Sequence, residues 1–377
     1  MRCYLKRSRV YVVGAGFSLY SGLPLQTDFT EALLGTTAET LGTFEPLVNH
    51  LRSFVHDVFD HNQSAHARFW PELEDLFTNI DQAANTGHHL GPEHSPSRLR
   101  TTRRVLLARI VAMLQERITE PASVGASSSK RLDEFFAAVD LKQSAFISMN
   151  WDTVVERRLS ENRNVRNFDY GCGAIPARFP PAGHVVEQLY LSTASRFPLI
   201  KMHGSSNWLY CDNCRRLYWF STRDGLRIAK QLISPAEGRD LGVSWLSDCG
   251  KWHCSECITV RLTTRVATFS YLKALDFPMF ERSWLAAEAL LNDADEWVFI
   301  GYSLPAADYE FKHLLKRVQL SRKSRVRFSV VTGGGDDAVL RTYRNYQGFF
   351  GRDIRRSGDS TNFFPSGLTQ TVIKKIT

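Results

Sequence analysis

The chain has 377 residues, 43% hydrophobic and 12% aromatic, with a formal net charge of +8 and a pI near 9.1. That composition excludes a disordered polymer, and no apolar run approaches the roughly 20 residues of a membrane span. The basic balance favours phosphate-bearing partners, nucleotide or nucleic acid. Lys and Arg are scattered rather than blocked, however, which weighs against a dedicated DNA groove and leaves direct nucleic-acid binding open.

The length predicts two domains, or one large α/β domain with insertions. Basic residues at the start (Arg2, Lys6, Arg7, Arg9) precede Val10–Val13, an apolar run far too short for a secretory signal. A soluble, cytoplasmic protein is expected. Val10–Val13 leads into Gly14-Ala15-Gly16-Phe17-Ser18, and Gly22-Leu23-Pro24 follows. This reads as a buried strand of a parallel sheet entering a phosphate-binding turn. Gly14 and Gly16 would let the backbone approach a pyrophosphate, with turn amides and Ser18 facing the anion. Gly22 comes too late for the usual dinucleotide fingerprint, so a strand-to-helix turn without a ligand is the competing reading.

Helices are predicted over Asp28–Leu34, from Pro46 (Leu47, Leu51, Phe54 and Val58 on one face), over Trp70–Ile80 and over Val105–Ile118. Asn85–Ser97 reads as a loop and Pro121–Ser129 as a linker. Residues 28–130 thus form a helical insertion. Glu72, Glu74 and Asp75 are read as its solvated face.

The sheet resumes at Ala145–Met149 and ends in Asn150-Trp151-Asp152-Thr153, where Asp152 can cap a helix running to about Leu159. Pro198–Met202 is a strand ending in His203-Gly204-Ser205. Ser283–Leu291 is an amphipathic helix. Trp297–Ile300 is a strand ending in Gly301-Tyr302-Ser303-Leu304, followed by a helix over Ala307–Leu320. Arg325–Val331 is a strand ending in Thr332-Gly333-Gly334-Gly335. Five strand–turn–helix units predict a doubly wound, Rossmann-like parallel sheet, in which ligands sit beyond the carboxyl ends of the strands. Those ends would bring Gly14/Gly16/Ser18, Asn150/Asp152, His203/Gly204, Gly301/Ser303 and Thr332/Gly333 to one nucleotide crevice.

Five of the seven cysteines lie between Cys211 and Cys257. Cys211-x-x-Cys214 and Cys254-x-x-Cys257 are two knuckles 40 positions apart. Without a secretory signal they predict a structural zinc site of four thiolates, with a hairpin or excursion between them. Cys249 and His253 are possible substitute ligands.

In this order the motifs resemble the sirtuin (silent-information-regulator-two-like) superfamily. The residues that carry the resemblance are Gly14-Ala15-Gly16-Phe17-Ser18, Gly22-Leu23-Pro24, Asn150-Trp151-Asp152, His203-Gly204, the four knuckle cysteines and Gly301-Tyr302-Ser303-Leu304. The chain departs from the deacylase branch in three places. Leu25-Gln26-Thr27 replaces Asp-Phe-Arg, Met149 replaces a Gln, and Val331-Thr332-Gly333 stands where a strand ends in Asn. Met149–Asp152, Lys201–Trp208 and Gly301–Asp308 are similar instead to a divergent bacterial branch of NAD-depleting anti-phage enzymes.

The resemblance implies NAD as substrate and Asn150, His203 and Asp152 as the catalytic set. Asn150 would orient water or a ribose hydroxyl, His203 would act as general base, and Asp152 would support Asn150. An imidazole of ordinary pKa, about 6.5, can take a proton at neutral pH. Gly14, Ala15, Gly16, Phe17, Ser18, Gly301, Ser303 and Thr332 would bind the dinucleotide. It also implies a homo-oligomer and, for some chains of this size, a HerA-type ATPase partner. An NAD-dependent protein-lysine deacylase or ADP-ribosyltransferase, and a non-catalytic NAD- or ADP-ribose-binding subunit, are the alternatives. The expected organisation is a Rossmann-like domain from 1–27, 131–204 and 263–335, the insertion 28–130, a zinc module 205–262 and a C-terminal extension 336–377.

Overall fold

A computed structural model describes residues 7–35, 42–60, 70–119, 126–192, 196–267, 277–332 and 336–351. Strand β1 (Arg9–Val13) is buried from Val10 onward, because neighbours on both sides and helices on both faces cover it. It turns at Gly14 into the single-turn helix α1 (Ala15–Ser18). The insertion follows as α2 (Phe29–Leu34), α3 (Glu45–Phe59), α4 (Leu73–Thr86) and α5 (Pro96–Thr119). In α3, Pro46 sits in the first turn and Leu47, Leu51 and Phe54 are buried, as the period predicts. The loop between α4 and α5 is shorter than expected, because α5 already starts at Pro96. Its first turns are arginine-rich and hide their period, yet Leu99 and Thr102 point inward. The expected linker is corrected too: α6 (Ala126–Ala138) begins within it, while residues 121–125 lie outside the described part.

Strand β2 (Ser144–Ser148) is followed by α7 (Val154–Arg163), then by the short strands β3 (Phe168–Asp169), β4 (Ile175–Arg178) and β5 (Glu187–Gln188). Strand β6 (Phe197–Lys201) returns to the main sheet. Strands β7 (Trp208–Tyr210) and β8 (Leu217–Trp219) form a hairpin, and helices α8 (Gly225–Gln231) and α9 (Pro235–Leu241) follow. The chain closes with α10 (Pro278–Asp293), β9 (Glu296–Ile300), α11 (Tyr309–Ser321), β10 (Arg327–Val331) and α12 (Asp336–Phe350).

The main sheet has six strands in the order β10-β9-β1-β2-β6-β3, every pair parallel. The chain winds from β1 through β2 toward β6, then crosses back to place β9 on the other side of β1. The topological switch point therefore lies between the carboxyl ends of β1 and β9. Tyr11, Val13, Phe146 and Leu199 face one core with Phe135, Phe136 of α6 and the insertion helices. Val10, Val12, Ile147 and Phe299 face the other, against α10, α11 and α12. The start of the expected C-terminal extension is thus a layer of the doubly wound fold: Phe350 and Tyr346 pack on Trp297 and Phe299.

A second sheet, in the order β5-β4-β8-β7, carries the cysteine knuckles and recruits β4 and β5 from before residue 205. Helix α8 lies on α5, where Gly225 N–H donates to Gln115 Oε1 (3.1 Å).

Candidate functional site

The turn after β1 and the turn after β9 are locked together backbone to backbone. Gly14 N–H donates to the Ile300 carbonyl (3.1 Å) and Gly16 N–H to the Gly301 carbonyl (2.9 Å). Gly301 has φ +60°, and a Cβ there would lie 2.1 Å from Phe17 N. Close approach of two backbone segments thus explains Gly14, Gly16 and Gly301. The amides of Gly14 and Gly16, expected to face an anion, are already paired. Phe17, expected at the ligand, is fully buried edge-on against Phe135 and Phe136. Ala15, Gly16, Gly301 and Thr332 remain half-buried and Ser303 exposed at the carboxyl edge of the sheet, while Gly333 lies outside the described residues.

Ser18 departs furthest from expectation. Its side chain is buried, and its hydroxyl donates to Asp152 Oδ2 (2.7 Å) while accepting from Asn150 Nδ2 (3.0 Å). The direction of this chain follows from proton counting. An ionised carboxylate only accepts, Ser18 has one proton to give it, and Ser18 must therefore accept from Asn150. The amide nitrogen of Asn150 faces Ser18, and its carbonyl oxygen faces the other way. Asp152 Oδ1 also accepts from Val154 N–H (2.9 Å), the first residue of α7, from one position before the N-cap Thr153, so the expected cap position falls to the residue after it while one carboxylate ties the helix start to Ser18.

His203 follows β6, one strand over. Its Nδ1 lies 3.2 Å from the Met149 carbonyl, which can only accept, so Nδ1 is the donor of this pair. Nε2 lies 3.8 Å from Asp308 Oδ1, and Tyr302 Oη donates to Asp308 Oδ2 (2.9 Å). The His203 turn needs Gly204, whose φ is +88°. Ser206 N–H donates to the Trp151 carbonyl (2.8 Å), tying this turn to the Asn150–Asp152 turn.

Five buried groups escaped the sequence reading. Asp308 and Tyr302 complete the surroundings of His203. Beneath the site, Lys201 Nζ donates to the Asp152 carbonyl and lies 3.7 Å from Glu156 Oε1, both side chains being 1% exposed. Tyr170 Oη donates to Glu156 (3.3 Å). Burial raises the Glu156 carboxyl above its ordinary range, with Lys201 opposing. A lysine closing an otherwise apolar strand (Phe197–Lys201), two residues before His203, was the available signal. Leu304, buried with φ +57°, marks strain in the turn after β9. Glu74, read as solvated, is in fact buried, one turn from Phe77, whose ring meets Trp151 edge-on at 6.2 Å.

The knuckle cysteines converge as expected. The sulfurs of Cys211, Cys214, Cys254 and Cys257 all lie within 4.8 Å of one another, with Cys211–Cys257 at 3.8 Å and Cys214–Cys254 at 3.5 Å. A tetrahedron with Zn–S bonds of 2.3 Å has edges of about 3.8 Å, so the cluster fits zinc. Both knuckles adopt the same turn. Arg215 N–H donates to the Cys211 carbonyl and Ile258 N–H to the Cys254 carbonyl (2.9 Å each), with φ of +60° and +57°. Asn213 Nδ2 lies 3.3 Å from Cys257 Sγ and Tyr218 Oη 3.2 Å from Cys254 Sγ, orienting the thiolates. Cys249 and His253 stand outside the cluster: Cys249 is buried near the Trp245 carbonyl, and His253 stacks edge-on with His184. Among the described residues, no helix is long and apolar enough to cross a membrane.

No protein-family model matches the chain, and no curated protein matches it. Solved structures with a similar course include one from work on sirtuin substrate affinity, 15% identical, covering 98% of this chain and 94% of that one at a TM-score of 0.39. Another is Sir2 with a p53 peptide and NAD+, 14% identical, covering 91% and 93% at 0.33. A third is Sir2 with the inhibitor EX-527, 2'-O-acetyl-ADP-ribose and a deacetylated p53 peptide, 14% identical, covering 91% and 94% at 0.30. Likeness this loose carries no argument about activity.

Proposed function

We propose that the chain is an NAD+ hydrolase that cleaves the nicotinamide–ribose bond to give nicotinamide and ADP-ribose. The observation that carries this reading is the ordered chain from Asn150 through Ser18 to Asp152, which fixes the Asn150 amide at the carboxyl end of β2, while His203, after the neighbouring β6, has its Nδ1 on the Met149 carbonyl and its Nε2 toward Asp308. Cleavage of this bond builds an oxocarbenium-like ribose, and a catalyst for it mainly holds the substrate and directs a nucleophile. The Asn150 carbonyl oxygen accepts a hydrogen bond from water and aims its lone pair. As the C–N bond breaks, nicotinamide leaves with the bonding pair and the water oxygen bonds to the anomeric carbon. His203 Nε2 takes the proton the water releases, and the Asp308 carboxylate faces the resulting imidazolium. Ala15, Gly16, Gly301, Ser303 and Thr332 line the dinucleotide path. Cys211, Cys214, Cys254 and Cys257 would hold a structural zinc that fixes the second sheet, and a closed set of four thiolates would leave no position for water.

The motif order supports a finer placement as an NAD-depleting effector of anti-phage defence, acting as a homo-oligomer and with a HerA-type ATPase. The complete cysteine cluster favours one second reading, NAD-dependent lysine deacylation. Incubating purified protein with NAD, alone and with an acyl-lysine peptide, separates the two by chromatography. Nicotinamide and ADP-ribose formed without peptide support hydrolysis, and nicotinamide formed only with peptide supports deacylation. No product in either incubation, with tight NAD retention, would favour a binding subunit.

A further inference from the structure

Away from the crevice, a cavity of about 440 Å³ opens between the insertion helices and the cysteine module. Arg100, Arg103 and Arg104 of α5 line one wall, Arg261 and Arg265 the other. Three of the five have carboxylate partners. Arg103 pairs with Asp81 (2.6 Å), Arg104 Nε with Glu237 (2.7 Å), and Arg265 makes a two-pronged contact with Asp212 (2.9 and 2.8 Å). Arg100 donates to the Ala84 carbonyl (2.9 Å), a neutral acceptor. Arg261 is half-buried and has no hydrogen-bond or ion-pair partner among the described residues. Glu237 is nearby, but its oxygens already serve Thr101, Arg104 and Ser234. Five guanidiniums against three carboxylates leave the cavity with surplus positive charge, and a partly desolvated guanidinium without a partner is costly.

We propose that this cavity is a binding site for a phosphate-bearing small molecule of nucleotide size, held by Arg261 and Arg100 in particular. Planar guanidinium forks suit phosphate oxygens, and the volume falls within the range of small-molecule pockets. A nucleic-acid strand would need stacking platforms. The aromatic side chain described in the lining, Phe277, already lies under the Arg265 guanidinium at 5.1 Å. The site also has a mechanical link to the crevice. Two residues beyond Arg265, Ala267 N–H donates to the His203 carbonyl (3.0 Å), and the Ala267 carbonyl accepts from Trp151 Nε1 (3.2 Å).

The test is calorimetric titration of the full-length protein with inorganic pyrophosphate, ATP and a short oligothymidylate. It reads binding without turnover, so it stands or falls apart from the NAD reading. Pyrophosphate and ATP are expected to bind, more weakly as salt is raised, with affinity about tenfold lower in Arg261→Gln and about threefold lower in Arg100→Gln. Arg100 is exposed on α5, so its variant keeps the fold, and Arg261→Lys provides a second folded control. Absence of binding by both phosphates, unchanged affinity in both Gln variants, or tighter binding of the oligothymidylate than of ATP would overturn the proposal.

Discussion

The cysteine cluster and the switch-point crevice are both assembled from loops, but they are built on different scales. Each knuckle is a local turn, closed by a bond between residues four apart and repeated almost unchanged at Cys211–Arg215 and Cys254–Ile258. The crevice depends on contacts that span the chain. Ser18 meets Asn150 and Asp152 at separations of 132 and 134 residues, and Gly16 meets Gly301 across the sheet. A local turn can be specified by its own residues. A crevice of this kind exists only when the six parallel strands are in register, so its integrity reports on the whole fold.

Removing the metal should give the largest effect. If the four thiolates hold zinc, chelation or Cys254→Ser should unfold the second sheet, with a loss of several kcal/mol and up to ~10 kcal/mol. Melting followed by calorimetry checks this; an unchanged melting temperature after complete chelation would remove zinc from the account. Next comes Gly301→Ala, which should disrupt the crevice while leaving the knuckles intact. Its Cβ would sit 2.1 Å from Phe17 N at a positive φ, so a cost of about 3 kcal/mol or more is expected in denaturant titration. Ser18→Ala should cost about 1–2 kcal/mol, because Asn150 and Asp152 then lose their shared partner. In a turnover assay it should lower kcat far more than it raises KM. The smallest effect concerns Glu156. Its folded-state carboxyl is raised, so the folded chain holds this proton more tightly than the unfolded one. Stability should therefore fall as pH climbs from the ordinary carboxyl range through the raised value, and Glu156→Gln should flatten that decline.

The sheet was legible because each main strand is an apolar run ending in a small or polar turn, and β1, β2, β6, β9 and β10 fall within two residues of expectation. The knuckles were legible from spacing alone. The arginine-rich start of α5 and the first turn of α6 were not, since polar composition there masks helices that tertiary packing stabilises. In the candidate site, the placement of Asn150 and Asp152 after β2 and of His203 after the neighbouring β6 could be anticipated from the strand ends. The part played by Ser18 could not, because hydroxyl direction depends on which groups surround it. Asp308 and the Lys201–Glu156 pair were hidden for the same reason: their significance lies in burial and in partners distant along the chain.

The most direct test of the central claim is NAD turnover by the purified chain, compared with Asn150→Ala, His203→Ala and Asp308→Asn. Release of nicotinamide and ADP-ribose in equal amounts is expected. The first two variants should lose it by at least about a hundredfold, and Asp308→Asn should lower kcat about tenfold. Full activity in both Asn150→Ala and His203→Ala would contradict the account, as would folded protein that retains NAD and never cleaves it.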